Sequence, residues 1–430
     1  MSTTAHPSPD QPKKSGWLAK LGPGLITGAS DDDPSGIATY SQAGAQFGYS
    51  LGWTLVLSFP LMIAIQEACA RLGRVSGKGL ATNIAESFPK PVGIAIALLL
   101  LVANTINLGA DLGAMAAALQ LLIAGPGELY VVGFGLACGL LITFVSYERY
   151  SSYLKWLCLS VFAYVGIVFA VHVPWGEVAR QLVWPDLQAS TDYVTASVAI
   201  FGTTISPYLF FWQASQEAER QLEDHDMKPL KETPREAPSE FRRIKLDTYL
   251  GMGLSNLIGL FIIITTAATL HASGKLDIQT SADAASALRP IAGDFAFAIF
   301  AAGIIGTGML GVPVLAGAAA FGVCGTLDRP AGLARRPAEA KTFYGTIAVA
   351  MLVGIGLNAV AIDPIKALFW SAVINGLVAV PIMALILVMS RRHANVGQFR
   401  LPGLLTVIGW AATGFMALIA VAMVWSWVAG

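Results

Sequence analysis

Ser30-Asp31-Asp32-Asp33-Pro34-Ser35-Gly36 is the stretch whose reading decides the fold. It interrupts a run that opens as Gly22-Pro-Gly-Leu-Ile-Thr-Gly-Ala and resumes as Ile37-Ala-Thr-Tyr-Ser-Gln-Ala-Gly-Ala-Gln46, apolar or small on both sides. Three carboxylates in the middle of a hydrophobic segment are expensive, since one charge at a bilayer centre costs about 2.5–3.5 kcal/mol on the gentler scale. Pro34 lacks an N–H and opposes continuation of a helix, while Ser35 and Gly36 permit an unwound turn whose carbonyls lose their intrahelical partners. An unwound turn beside a carboxylate is an oxygen-rich pocket.

The rest of the chain supplies the context. Of 430 residues 55% are apolar and 13% charged, with 27 Lys plus Arg against 27 Asp plus Glu and no net charge. That charge content is about half the usage of an ordinary soluble domain. It excludes a soluble enzyme, a disordered chain and a nucleic-acid binder with a basic face. Long apolar runs occur near residues 18–46, 51–70, 92–123, 130–145, 154–172, 193–215, 247–270, 292–323, 343–362, 365–389 and 404–427. Each is too long for a barrel strand, so the reading is an all-α polytopic membrane protein with 11 transmembrane helices. No Walker loop, zinc-ligand spacing or nucleophile elbow appears, and no enzyme is expected. Cys69, Cys138, Cys158 and Cys324 form no CxxC pair and read as inert thiols.

Loops rich in Lys and Arg stay on the cytoplasmic side. With the N-terminus inside, 23 of the 27 basic residues are cytoplasmic, leaving Arg180, Lys275, Arg289 and Lys366 outside. The expectation is an inner-membrane protein with a solvated cytoplasmic tail over 1–17, rather than a cleaved leader, and Gly430 outside. Residues 217–247 carry 16 of the 54 charges, together with Pro229, Pro234 and Pro238, and read as a solvated cytoplasmic loop linking the two halves, with short helices at its ends and no separate domain. Glu67 and Arg71, four apart, read as an intrahelical pair; His172 and His271 read as interfacial.

The sixth span repeats the device of the first as Gly202-Thr-Thr-Ile-Ser-Pro-Tyr208. Two broken helices five spans apart point to a transporter built from inverted repeats, with its site near the midplane. The expected division is residues 18–172 for the first repeat (spans 1–5), 173–389 for the second (spans 6–10, with the loop 217–246), and 390–430 for an additional span.

Gly22-Pro-Gly, Asp33-Pro-Ser-Gly, Ala38-Thr39, Gln42-Ala-Gly-Ala-Gln-Phe-Gly-Tyr-Ser-Leu51, Gln66 and Ala70-Arg-Leu-Gly73 resemble the first two spans of the Nramp divalent-metal transporters. The resemblance implies a LeuT-type fold, a 5+5 inverted repeat with substrate held between broken helices 1 and 6. The family motif Asp-Pro-Gly-Asn is matched by Asp33-Pro34-Ser35-Gly36, without the coordinating amide. Met-Pro-His is matched by Ser206-Pro207-Tyr208, without thioether or imidazole, and a further family histidine matches Gln213. This pattern resembles the Nramp-related magnesium transporters.

Carboxylate, carbonyl and water suit Mg²⁺, whereas sulfur favours softer metals. Mg²⁺ sheds water reluctantly and is held through one or two carboxylates plus retained waters. The expected metal site therefore has Asp33 as anionic ligand, Gly36 leaving room for water, the Thr203 carbonyl as a second contact, Ser206 and Tyr208 touching coordinated water, and Asn375 of the tenth span as a further polar ligand. Asp31 and Asp32 either line a cation-attracting vestibule, or form an exposed acidic helix end or a repelling pair that is partly protonated. Proton-driven Nramps carry an acid in the third span, histidines in the sixth and a basic residue in the ninth. Here the third-span position is Asn107, and the other two groups are missing. Asp111 is either a surviving proton acceptor or a carboxyl satisfied by Asn104 and Asn107. The expected function is transport of a hard, partly hydrated divalent cation, Mg²⁺ and also Mn²⁺, without proton coupling and with no resident cofactor. The alternatives are a proton-coupled Mn²⁺/Fe²⁺ symporter and a symporter of an organic cation. The expected partners are the metal ion and the lipid bilayer, with no nucleic acid, and the expected state is a monomer.

Overall fold

The computed structural model describes residues 28, 30–145, 159–223, 227–360 and 363–429. Gly22-Pro-Gly, the tail over 1–17, Cys158 and the basic residues Arg149 and Lys155 lie outside them. The described residues form helices and no strand. Eight helices are long and apolar enough to cross a bilayer: Gly52–Ser76, Lys90–Gln120, Gly127–Phe144, Thr191–Gln221, Pro234–Ser273, Gly293–Thr326, Pro364–Met389 and Gly403–Val428. They fall at the expected second, third, fourth, sixth, seventh, eighth, tenth and eleventh spans. The other three places are taken by Pro34–Phe47, by Leu159–Ala170 and by the apolar helix Lys341–Leu357. The fifth span then turns through 117° into Trp175–Val183.

Local chemistry sets the helix ends. Gly48 and Gly77 close the first and second spans with φ of 59° and 69°, values a side chain would strain. Asp363 caps the tenth span through Ile365 N at 2.9 Å and Lys366 N at 3.3 Å, ahead of Pro364 at the first helical position. Ser190 accepts from Tyr193 N at the head of the sixth.

Burial orders the bundle. In the sixth span 94% of the apolar stretch is buried, against 22% in the fourth and 33% in the eleventh, so the sixth runs through the centre and the other two lie at the rim. Leu98, Val102, Leu136, Phe144, Leu404 and Leu418 are exposed, giving the apolar belt that hydrocarbon covers. The centre is where both breaks occur. The first span is interrupted at Asp32-Asp33, and the sixth divides into Thr191–Thr204 and Pro207–Glu223 around Ile205-Ser206.

The segment 217–247 has helices at its ends, as expected, but they are the ends of long spans rather than short separate helices. Residues 217–223 continue the sixth-span helix, and the seventh span begins at Ala237, ten residues earlier than its apolar run. Pro238 sits in the first helical turn, where the missing N–H has no intrahelical partner to lose.

Candidate metal site

Asp33 stands at the break of the first span, in extended backbone (φ −69°, ψ 170°), and caps the helix that follows. Its Oδ1 accepts from Gly36 N at 2.9 Å and from Ser35 Oγ at 2.7 Å. Its Oδ2 faces the Tyr208 hydroxyl at 3.1 Å and the Asn107 amide nitrogen at 3.5 Å. The Tyr208 hydroxyl is also 3.1 Å from the Ser30 carbonyl, so its one proton goes to either oxygen. Asn107 is held in turn by Ser371 Oγ, which donates to its Oδ1 at 2.8 Å. All of these groups are buried. A methyl group at Gly311 of the eighth span would come 3.1 Å from Asp33 Cβ, so the eighth span closes against the acid only because it has no side chain there.

The expected ligands have mixed outcomes. Tyr208 reaches Asp33 directly. Gly36 is at the site, yet the space beside it is not open: a Cβ there would meet Asp31 O and Thr203 Oγ1 at 3.3 Å and the Tyr40 ring at 3.4 Å. The room expected for water is taken by Thr203 and Tyr40. The Thr203 carbonyl lies at the sixth-span break and accepts from Ser206 Oγ at 2.7 Å. Ser206 thus turns its hydroxyl back onto the carbonyls of Gly202 and Thr203 instead of into the site, as a hydroxyl does when it competes for a helix end. Asn375 is buried with both amide atoms unpartnered among the described residues, and it makes no bond to the Asp33 group. The tenth span instead reaches the site one turn earlier, through Ser371.

The neighbouring acids also differ from expectation. Asp31 and Asp32 line no open vestibule and form no exposed end: both are buried, and Ser255 of the seventh span lies 2.6 Å from Asp31 Oδ2 and 3.0 Å from Asp32 Oδ1. The break thus sorts its carboxylates, with Asp33 turned toward spans 3, 6 and 8 and the other two toward span 7. Asp111 is not satisfied by Asn104 and Asn107. Asn104 donates to Leu315 O, Asn107 serves Asp33, and neither oxygen of Asp111 has a hydrogen-bond partner among the described residues. The Glu67–Arg71 pair forms at 2.5 Å.

Ser371, Ser255, Asn107 and Gly311 were not among the expected site residues. Three of them carried a faint signal as polar positions in apolar helices, Ser371 and Asn375 being four apart on one face. Gly311 carried none. Among the described residues no three His, Cys, Asp or Glu side chains converge to hold a metal. The donors gathered around Asp33 are hydroxyl, amide and carbonyl groups, a hard set. Met115 packs beside the break: a Cβ at Gly308 would touch both its sulfur and the Pro34 ring.

A family profile described as natural resistance-associated macrophage protein-like (Nramp) matches residues 24–426. The chain belongs to the Nramp family. Curated relatives agree: the divalent metal cation transporter MntH of Pectobacterium carotovorum is 26% identical over 304 residues, covering 68% of each chain. That of Yersinia enterocolitica is 27% identical over 313 residues, covering 68% of this chain and 69% of its own. In three dimensions the chain is similar to the Eremococcus coleocola manganese transporter, with a TM-score of 0.74, 20% identity and coverage of 96% of this chain and 87% of the other. It also shares its fold with Mhp1, a nucleobase-cation-symport transporter, at a TM-score of 0.55 and 16% identity over 94% and 92% of the two chains. This Nramp protein is therefore a LeuT-type helical membrane protein with broken helices 1 and 6, and not an enzyme.

Proposed function

We propose that this chain, a divalent metal cation transporter of the Nramp family, carries Mg²⁺, and Mn²⁺ as a second cargo, by alternating access around the breaks at Asp33 and Ser206. The observation that carries the reading is the environment of Asp33. One oxygen is held in the helix cap, the other faces hydroxyl and amide groups, and the family's thioether and imidazole positions are Ser206 and Tyr208. A single anionic oxygen among hard donors suits an ion that retains part of its water. Because Gly36 leaves no open space in this packed arrangement, the hydrated ion enters only when the two broken helices separate. The Tyr208 hydroxyl then turns from Ser30 of the first span, and the Thr203 carbonyl from the Ser206 hydroxyl, to the cargo.

Inward movement needs no second ion. A divalent cation gains about 4.6 kcal/mol per 100 mV, from 2.3 kcal/mol per unit charge. The orientation proposed has the N-terminus and the Arg-rich loops in the cytoplasm, in a monomer in the inner membrane. Proton coupling is the second reading, and one feature favours it: the Asp111 carboxyl, one helical turn beyond Asn107 and without a hydrogen-bond partner among the described residues, is costly as an anion and suited to carrying a proton.

Purified protein in liposomes, with internal Mg²⁺ and Mn²⁺ indicators and a pH dye, tests both. Mg²⁺ entry driven by an inside-negative potential, without acidification, supports the first reading. Mn²⁺ entry with acidification and no Mg²⁺ entry overturns it, and loss of that acidification in Asp111→Asn then establishes the second.

A further inference from the structure

The Arg-rich end of the bundle holds a chain of charges that the metal site does not use. Arg74, in the last turn of the second span, is fully buried. Its guanidinium binds Glu240 at 2.9 Å, Glu236 at 3.3 Å and the Lys228 carbonyl at 2.6 Å. Glu240 also accepts from Arg243 at 3.2 Å, and Arg243 reaches across at 2.6 Å to Glu217, which is buried on the inner half of the sixth span. The same half-helix is fastened twice more. Gln221 donates to the Arg74 carbonyl at 3.3 Å, and Glu219 accepts from Leu333 N, beyond the eighth span, at 2.6 Å. The backbones meet as well, since a Cβ at Gly73 would strike the Ala214 carbonyl.

These contacts share one mechanical property. Pro207–Glu223 begins at the break, which is a hinge for it at Ile205-Ser206, and its far end is tied to spans 2 and 7 and to the loop after span 8. Swinging the far end of that half-helix away from the seventh span parts Glu217 from Arg243. Neutralising either partner removes the ion pair between the sixth span and the seventh, although Arg243 keeps Glu240 and Glu217 keeps Arg220 at 3.6 Å, and so weakens the tie that holds the half-helix in place.

We propose that Arg74–Glu240–Arg243–Glu217 is a latch that holds the Arg-rich end of the transport path shut, so that the segment 227–247 works as a strap rather than as a passive linker. The proposal is independent of which cation is carried, and it rests on the orientation above only for calling that end cytoplasmic.

Cysteine labelling tests it in the full-length protein. The four native cysteines are replaced by alanine and Ser215→Cys is introduced, Ser215 being buried on the latched half-helix. A charged, impermeant maleimide is then applied to inside-out and right-side-out vesicles. Slow labelling is expected with the latch intact, and about a tenfold faster rate or more in Glu217→Gln and in Arg243→Gln, as befits a shifted two-state equilibrium. Each variant is first confirmed as a monodisperse protein, and Lys366→Cys, at the opposite end, should label equally in all of them. Unchanged labelling of Ser215→Cys in both latch variants overturns the proposal. Faster labelling from either face supports the latch, and the face from which it occurs separately tests the orientation.

Discussion

Asp33 performs two tasks, and substitutions separate them. Its carboxylate caps the helix Pro34–Phe47 and supplies the negative charge facing Tyr208 and Asn107. Asparagine caps as well as aspartate does, whereas losing a cap altogether costs about 1 kcal/mol. Asp33→Asn is therefore expected to purify like the parent protein and to show no Mg²⁺ flux in liposomes, while Asp33→Ala loses flux and also some thermal stability. Parent-like flux in Asp33→Asn would remove the anionic ligand from the site. Tyr208→Phe deletes only the hydroxyl that bridges Ser30 and Asp33. Its expected effect is a KM for Mg²⁺ raised about three- to tenfold, the scale of one ordinary net hydrogen bond, the hydroxyl being shared between Ser30 and Asp33. Discrimination against Ca²⁺ belongs here too. With Oδ1 engaged by Ser35 and Gly36, Asp33 offers one oxygen, and Ca²⁺, which takes six to eight oxygen ligands and often a bidentate carboxylate, is expected to compete poorly in the same flux assay. The acid and both prolines were legible in the sequence, because a charge or a proline inside hydrocarbon has few explanations. The direction of a small hydroxyl was not. Ser206 turns only back to its own helix, whereas Ser371 lies between its own Leu368 carbonyl at 2.7 Å and Asn107 at 2.8 Å, and nothing in a one-dimensional pattern distinguishes these outcomes.

At the scale of helices, the spans were readable from runs of apolar residues, and the two breaks from Pro34 and Pro207. The reading failed where polar residues continue a helix. The seventh span starts at Ala237 because charged side chains and Pro238 are tolerated in a first turn, so composition marked the membrane boundary and not the helix boundary. Close backbone contacts were equally invisible. Gly202 of the sixth span seats against the tenth, where an added Cβ would lie 2.5 Å from Gly376 N and 2.8 Å from its Cα. Overpacking of this kind costs about 1–3 kcal/mol or more. Gly202→Ala is expected to lower the temperature at which the protein loses its monodisperse peak, and to reduce flux through displacement of the neighbouring Thr203 carbonyl. An unchanged thermal profile would show that the sixth and tenth spans yield at that seat.

For the whole molecule, the fold class was the most legible feature, since a neutral chain rich in apolar runs and broken twice in matching places has few alternatives. Which helices take the centre was not legible, because hydropathy is similar in the fourth and sixth spans while their burial is 22% and 94%. The places where glycine lets one backbone rest on another have a kinetic consequence. The first span meets the seventh at Gly28 and Gly251, the second meets the sixth at Gly73 and Ala214, and the sixth meets the tenth at Gly202 and Ala372. Helices keyed together in this way have little freedom to slide singly, so passage of an ion requires groups of them to pivot at once, on the microsecond-to-millisecond scale of collective motion or slower. The protein should thus behave as a ferry and never as a tunnel. Its flux should saturate, and unlabelled cargo placed on the far side should speed tracer exchange, an acceleration that an open pore would not display.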